Sequence, residues 1–285
     1  MWDRPKQFRA AVDTIRLGIS PHLYCLPLTR YLKQGVFNLS VDSISQNAIR
    51  MRQRDLDVAF LTPIDYARES SDYRILPGMA VSSRVPNSTV ILTFKEGLHG
   101  INTLAVQPTS TSEVVLASIL LSERFDMRAT IVPTLGSSER MMHSADAALL
   151  VGNEAVRLGS GHPHKLDLVE EWVDMTDLPY VHGFWCTREA TLSKEKVLEL
   201  QRACGQGVEM LEEIALEAAP SAQDSARKVQ QYLESFSYSF DDQEQEALTE
   251  FLRYAYYHGA LPDVADINFY PLDEEDDSQP SPSLN

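Results

Sequence analysis

Cysteine is scarce in this sequence. Its 285 residues include only Cys25, Cys186 and Cys204, and no two of them have the CxxC spacing. An odd, sparse set argues against a disulfide framework and a structural zinc site, and is typical of a reducing compartment. The sequence also lacks a run of about 18 apolar residues, which excludes a transmembrane helix, and its first residues lack the apolar core of a secretion signal. We therefore expect a cytoplasmic protein with no membrane partner.

Positive charge is also in short supply. Lys and Arg total 25 against 41 Asp and Glu, so the net charge is −16 at pH 7. This balance argues against a nucleic-acid partner and against binding to an anionic membrane surface. A small anionic ligand is still compatible, provided that local donors overcome the overall field. The pair His162 and His164 has a metal-type spacing, but it falls in a polar stretch that predicts a surface loop, so we expect no metal site.

The stretch that organises the chain begins with an apolar run, Ile15–Ile19, which predicts a buried parallel strand. Ser20 and a proline end the run, residues 22–27 form a loop, and a helix is predicted over 28–33. Ligands of open α/β sheets bind outside the carboxyl ends of the strands, near helix N-termini. The residues from Ser20 to Tyr24 should therefore line any site. A plain connection without a ligand is the alternative.

Apolar runs and helical patterns alternate along the chain, and a second such series begins near Gly97, which predicts parallel α/β sheets. Ser45 should cap one helix, Pro63 should lie at the first turn of another, and a strand is expected over 103–106. Three amphipathic helices are expected over 194–218, 222–235 and 243–258, and Trp172 and Trp185 should lie in the core. Two series followed by helices predict two lobes joined at a hinge, around a cleft between them. The expected divisions are a first lobe of 14–94 plus 188–270, a second lobe of 95–187, and a disordered acidic tail of 271–285.

Several strings of residues, in this order and spacing, resemble one family over residues 14–264. They are Ile15-Arg-Leu-Gly, Leu56-Asp-Val-Ala-Phe-Leu-Thr-Pro-Ile-Asp-Tyr-Ala, Tyr73-Arg-Ile-Leu-Pro-Gly-Met-Ala-Val-Ser-Ser, Asp146-Ala-Ala-Leu-Leu-Val-Gly-Asn, Thr176-Asp-Leu-Pro-Tyr-Val-His-Gly-Phe-Trp and Phe251-Leu-Arg-Tyr-Ala-Tyr-Tyr-His-Gly-Ala-Leu-Pro. The family is chorismate dehydratase of the futalosine route to menaquinone. The resemblance implies a two-lobed, type II periplasmic-binding-protein-like fold. It also implies a cofactor-free elimination of water from chorismate, giving 3-[(1-carboxyvinyl)oxy]benzoate.

The resemblance also implies a site, from which this sequence departs at several positions. The family's opening loop reads Tyr-Leu-Asn-Thr/Ser-x-Pro, and Tyr24 stands here in place of its Asn, either as a wall against a ring or as a replacement acid. Glu113 replaces a usual Ser and should repel a carboxylate. Asn153 replaces a usual Asp and keeps hydrogen bonding but not proton transfer. The substrate-binding candidates are Ser20, His22, Ser88, Thr89, Ser110, Thr111, Ser112 and Asn153.

These departures leave three functions open. The first is a divergent chorismate dehydratase. The second is a non-catalytic or altered-specificity binding protein for a small aromatic carboxylate, and the third is the related dihydroxynaphthoate synthase, whose catalytic histidine has no match here. In each case the partner is a small anionic ligand such as chorismate, and the protein is a monomer or a homodimer.

Overall fold

The computed structural model describes residues 14–109, 111–158, 164–188, 192–219 and 223–272. Their ten strands form two mixed sheets of five strands each. In chain order the strands are β1 (Ile15–Ile19), β2 (Phe37–Val41), β3 (Val58–Leu61), β4 (Tyr73–Ser83), β5 (Val90–Phe94), β6 (Thr103–Val106), β7 (Thr130–Pro133), β8 (Ala147–Val151), β9 (Lys165–Asp167) and β10 (Tyr180–Arg188).

Ten α-helices pack on these sheets in the described residues. In chain order they are α1 (Ile44–Arg52), α2 (Pro63–Ala67), α3 (Thr111–Phe125), α4 (Ser138–Ser144), α5 (Asn153–Leu158), α6 (Leu168–Thr176), α7 (Lys194–Glu209), α8 (Leu211–Ala218), α9 (Gln223–Glu234) and α10 (Asp242–Tyr257). None of them is long and apolar enough to cross a bilayer. The predicted cytoplasmic location stays a prediction.

The strand order is β2-β1-β3-β10-β4 in the first sheet and β7-β6-β8-β5-β9 in the second. We call residues 14–83 and 180–272 the first lobe, and residues 90–176 the second lobe. The chain crosses between them through 84–89 and 177–179, where the Arg84 guanidinium donates to the Asp177 carbonyl. This is the two-lobed α/β plan that the sequence predicts.

Sheet membership differs from the predicted division of the lobes. β5, placed by the sequence at the end of the first lobe, pairs antiparallel with β8 and β9. β10, placed in the second lobe, pairs antiparallel with β3 and β4. Each of these strands follows a crossing directly, with no helical connection of the kind that parallel strands need, so the sheets are mixed rather than wholly parallel.

Helix boundaries follow local chemistry. Ser43, rather than the predicted Ser45, caps α1 by accepting the Gln46 N–H, and Pro63 opens α2 at its first turn, as predicted. The predicted helix over 28–33 is wrong, since these residues form irregular turns. Hydrogen bonds here, such as Leu28 N–H to the Cys25 carbonyl and Leu32 N–H to the Thr29 carbonyl, span three residues, so no continuous α-helical ladder forms.

One continuous hydrophobic cluster joins the two lobes. It includes residues of β3 and α2 in the first lobe, and of β6, α3 and α6 in the second. Trp172 of α6 packs edge-to-face on Phe251 and Tyr254 of α10, with ring centroids 5.7 and 5.9 Å apart. Trp172 and Trp185 are both fully buried, as predicted. Helix α10 therefore spans the junction between the lobes. A cleft can lie on the opposite side of this junction.

Candidate functional site

A cavity of about 200 Å³ lies between the lobes, at the carboxyl end of β1 and beside the first turns of α1 and α3. This is the end of β1 at which the sequence predicts a site. The cavity is smaller than the roughly 300–1,000 Å³ of typical ligand pockets. Its lining from the first lobe is Ser20, Pro21, His22, Ser43 and Ile44, and its lining from the second lobe is Gln107, Thr109, Glu113 and Val151.

His22 forms one wall of the cavity. Its ring stacks on Tyr24 at a centroid distance of 5.2 Å, and its Nδ1 is buried with no hydrogen-bond partner among the described residues. Burial lowers the pKa of His22 to about 4, so the ring is neutral near pH 7. Gly152 of the second lobe lies against this ring at φ +62°, and any side chain there would overlap the imidazole. His22 is therefore a contact between the lobes as well as a cavity wall.

Tyr24 lies behind His22, fully buried. Its ring packs against those of His22, His182 and Phe236, with centroid distances between 5.2 and 5.5 Å. Burial raises the pKa of this phenol well above its ordinary value, so the group is neutral. Tyr24 is not among the described residues that line the cavity. Of the two roles open for it, a wall that supports a ring fits this position better than an acid.

Asn153 joins the lobes directly. Its Oδ1 accepts the Leu23 N–H at 2.9 Å, and its Nδ2 donates to the Pro21 carbonyl at 3.0 Å. We call this pair of bonds the interlobe clip. The loop after β1 engages one lone pair of Oδ1 and one N–H of Nδ2, which leaves one lone pair and one N–H of the amide for a ligand.

Two of the hydroxyls expected to bind substrate, those of Ser112 and Thr89, have protein partners. Ser112 Oγ accepts the Ile64 N–H at 2.9 Å, which makes a third hydrogen bond between the lobes besides the two of the clip. Thr89 is fully buried and its Oγ1 lies 3.1 Å from the hydroxyl of Tyr232. Ser88 has a left-handed backbone, and its N–H donates to the Asp167 carboxylate at 2.8 Å.

The remaining predicted candidates differ in position. Ser20 is buried and lines the cavity. Thr111 is half-buried at the start of α3, whereas Ser110 lies outside the described residues. The structure thus brings Ser20 and His22 together at the cavity, with Asn153 directly behind them, and leaves Ser88 and Thr89 at the crossing.

Glu113 is the strongest electrostatic feature of the cavity. It lies in the first turn of α3 and only 3% of its surface is exposed. Burial, with a smaller contribution from Asp65, raises the pKa of Glu113 to about 7. The carboxyl is therefore protonated in about half of the molecules at neutral pH. The expected repulsion of an anionic ligand is weaker than the sequence indicates, because burial takes charge away from this group.

A sequence profile described as menaquinone biosynthesis matches residues 15–257. The chain belongs to this family. Among solved structures, a protein from Archaeoglobus fulgidus is 17% identical, with a TM-score of 0.69, over 87% of this chain and 98% of its own. The alkanesulfonate-binding protein of Xanthomonas axonopodis pv. citri bound to MOPS is 13% identical, with a TM-score of 0.59, over 88% and 95%.

The same fold extends to a gene product of Candida albicans described as having the generic periplasmic binding protein fold. It is 12% identical, with a TM-score of 0.57, over 88% of this chain and 91% of its own. Identities this low show the fold alone. They confirm the predicted type II, two-lobed architecture, and the family match confirms the resemblance at the level of menaquinone biosynthesis.

Three polar cavity residues of this family member were not predicted from the sequence, namely Ser43, Gln107 and Thr109. Each follows the carboxyl end of a strand, β2 or β6, which is the signal that could have identified them. Gln107 Nε2 donates to Glu154 at 2.9 Å. The cavity lining includes no lysine or arginine, and the described residues contain no cluster of three His, Cys, Asp or Glu side chains that could hold a metal ion.

Proposed function

We propose that this protein binds chorismate in the interlobe cavity and eliminates water from it to give 3-[(1-carboxyvinyl)oxy]benzoate. The observation that carries the proposal is a cavity between the lobes at the loop after β1, on a chain of the menaquinone-biosynthesis family. That loop is where the resemblance to chorismate dehydratase places the substrate.

The reaction makes modest demands on the protein. A proton leaves a ring carbon, hydroxide leaves the neighbouring carbon, and the ring becomes aromatic, with no net oxidation. The protein has to orient the carboxylates, exclude water and supply a proton to the departing hydroxyl. The first turn of α3 offers a positive helix end for a carboxylate. The proton from the ring carbon ends on the departing hydroxide, which leaves as water, and Glu113 lies beside this helix end as a buried wall of the cavity.

Closure of the lobes supports this chemistry. The interlobe clip and the Ser112–Ile64 bond hold the two walls of the cavity together. Since the cavity is small in this conformation, we expect these bonds to open when chorismate is taken up and product is released. Water is therefore excluded from the cavity only during the interval in which these bonds are closed around the substrate.

A second candidate function is chorismate binding without dehydration. The observation in its favour is the buried ring of Tyr24, which stands in place of the family's Asn and does not line the cavity. A protein that only binds chorismate would keep the hinge and the cavity but would not carry out the proton transfer that dehydration requires. The third function considered, dihydroxynaphthoate synthesis, has no supporting observation in the site.

Incubation of the purified protein with chorismate, followed by chromatography, tests both candidates. We expect chorismate to disappear and the enolpyruvyl benzoate to form faster than in the uncatalysed control. Glu113→Ala should lower kcat/KM about tenfold, because the cavity loses a buried carboxyl that lines it and chorismate is held less precisely. Glu123→Gln, an exposed position at the other end of α3, is the matched control.

A thermal shift with chorismate but no product would support the binding function instead. Neither a shift nor product would contradict both functions.

A further inference from the structure

The carboxyl of Glu113 is buried at the cavity and has no partner side chain in the described part of the chain. Within the described residues, the carboxyl is hydrogen-bonded to its own backbone N–H. An ionised carboxylate without a cationic partner is costly to bury, and such groups bind a proton instead. The protonated carboxyl of Glu113 is therefore a hydrogen-bond donor at the cavity, whereas the sequence alone indicates a negatively charged acceptor.

The groups around Glu113 do not reverse this preference. Asp65 of α2 is a buried acid whose own pKa is raised by burial, and it accepts the Thr62 hydroxyl at 2.8 Å. The phenols of Tyr24 and Tyr180 are neutral, because burial and, to a smaller extent, the charge of Glu113 raise their pKa. His22, across the same cavity, is neutral as well. None of these facing groups is positive, so in the described part of the chain the compensation for an anionic Glu113 comes from the N–H of its own residue in the first turn of α3.

We propose that Glu113, in its protonated form, donates a hydrogen bond to a carboxylate of the ligand, so that the two carboxyl groups share one proton. The inference rests on the proposed function for the place and the class of ligand. It adds the residue that recognises the carboxylate, in a cavity that offers no arginine or lysine for that purpose. The α3 N-terminus favours the same negative charge.

Sharing a proton links affinity to pH. A carboxylate ligand binds the protonated protein, and an ionised Glu113 repels it. With a pKa of about 7 for Glu113 in the free protein, affinity should fall about tenfold between pH 6 and pH 8. His22 has a pKa of about 4 and stays neutral over this range, so it does not contribute to the change.

Isothermal titration calorimetry with chorismate tests the proposal. Titrations at pH 6, 7 and 8, each in two buffers of different ionisation enthalpy, count the protons taken up on binding. Wild type should take up close to one proton at pH 8 and almost none at pH 6. Glu113→Gln keeps the shape and a donor, so its affinity should be independent of pH and its proton uptake zero. Glu123→Gln should behave like wild type.

The outcomes separate this inference from the proposed reaction. Proton-linked binding that disappears in Glu113→Gln, with no product formed, would remove the dehydratase function and leave the inference standing. If chorismate does not bind, benzoate is titrated in the same way. Uptake that is unchanged in Glu113→Gln, or the absence of binding by either carboxylate, would overturn the inference. A pH titration of Glu113 by carbon-13 NMR, with a midpoint near 4.5, would overturn it too.

Discussion

His182 shows what burial does to a single ionisable side chain. The residue is 1% exposed, and its Nε2 lies 2.8 Å from Ser83 Oγ. Burial, helped by the neighbouring His22, lowers the pKa of His182 to about 3. The ring also packs edge-to-face on Tyr180 at 4.9 Å. The aromatic wall behind the cavity thus contains a histidine that is neutral throughout the physiological range.

This lowered pKa predicts sensitivity to acid. In the unfolded chain a histidine binds its proton near pH 6.5, whereas folded His182 binds it only near pH 3, so the folded state loses stability as pH falls between these values. From pH 7 to pH 5 the loss from His182 should be about 2 kcal/mol. His182→Gln should show a smaller loss over that interval in urea unfolding. The exposed His143→Gln is the control, and equal losses in both variants would contradict the prediction.

Individual residues also mark the limit of what the sequence predicts. The importance of Ser20 and His22 follows from their position after an apolar strand. The engagement of Asn153 with Pro21 and Leu23 does not, because residues about 130 apart in sequence meet only when the lobes close. The protonation of Glu113 depends on burial, to which several distant elements contribute.

Among the elements, α7 has the tightest fit. Gly207 lies so close to the carbonyl of Pro27 that a Cβ would overlap backbone atoms. Gly205, two residues earlier on the same helix, has open space where its Cβ would be. One helix therefore carries two glycines for which substitution has opposite consequences.

Gly207→Ala should destabilise the protein by about 1–3 kcal/mol, because either α7 or the turn containing Pro27 has to move. Gly205→Ala should stabilise it by up to about 1 kcal/mol, since alanine favours a helix over glycine. Denaturant unfolding midpoints of the two variants provide the measurement. Equal shifts in the same direction would show that the packing of α7 on the turn does not govern stability.

Most elements could be predicted from the sequence because their apolar periods are local. β1, β6 and α2 begin at or within a residue or so of the expected positions. The exceptions depend on other information. The sequence predicts one helix over 194–218, but Met210, at φ −115°, divides it into α7 and α8. The direction of β5 and β10 depends on the path of the whole chain.

At the scale of the whole molecule, one hydrophobic cluster spans both lobes, and each lobe adds a further cluster of its own. The contacts of α10 with both α2 and α3, and the His258–Glu123 pair between α10 and α3, lie on the same junction. Separating the lobes fully would expose this apolar surface to water. We therefore expect opening to be a limited rotation about the crossings, with α10 remaining packed.

A shared core predicts a single unfolding transition. Differential scanning calorimetry should give one peak, with a ratio of calorimetric to van't Hoff enthalpy near one. Circular dichroism and tryptophan fluorescence should change together, because Trp172 in the second lobe and Trp185 in the first report on the same event. Two resolved peaks would mean that the lobes fold as independent units and that the cluster between them contributes little.

The interlobe clip has a consequence for how this protein can diverge. Asn153 contacts a backbone carbonyl and a backbone N–H of the loop after β1. The clip therefore depends on the backbone conformation of this loop and not on its side chains. Neither bond uses the side chain of position 21 or 23, and proline at position 23 would remove the N–H that donates to Asn153. Ligand preference and lobe closure can therefore be varied separately, which makes this loop a suitable place to redesign the cavity.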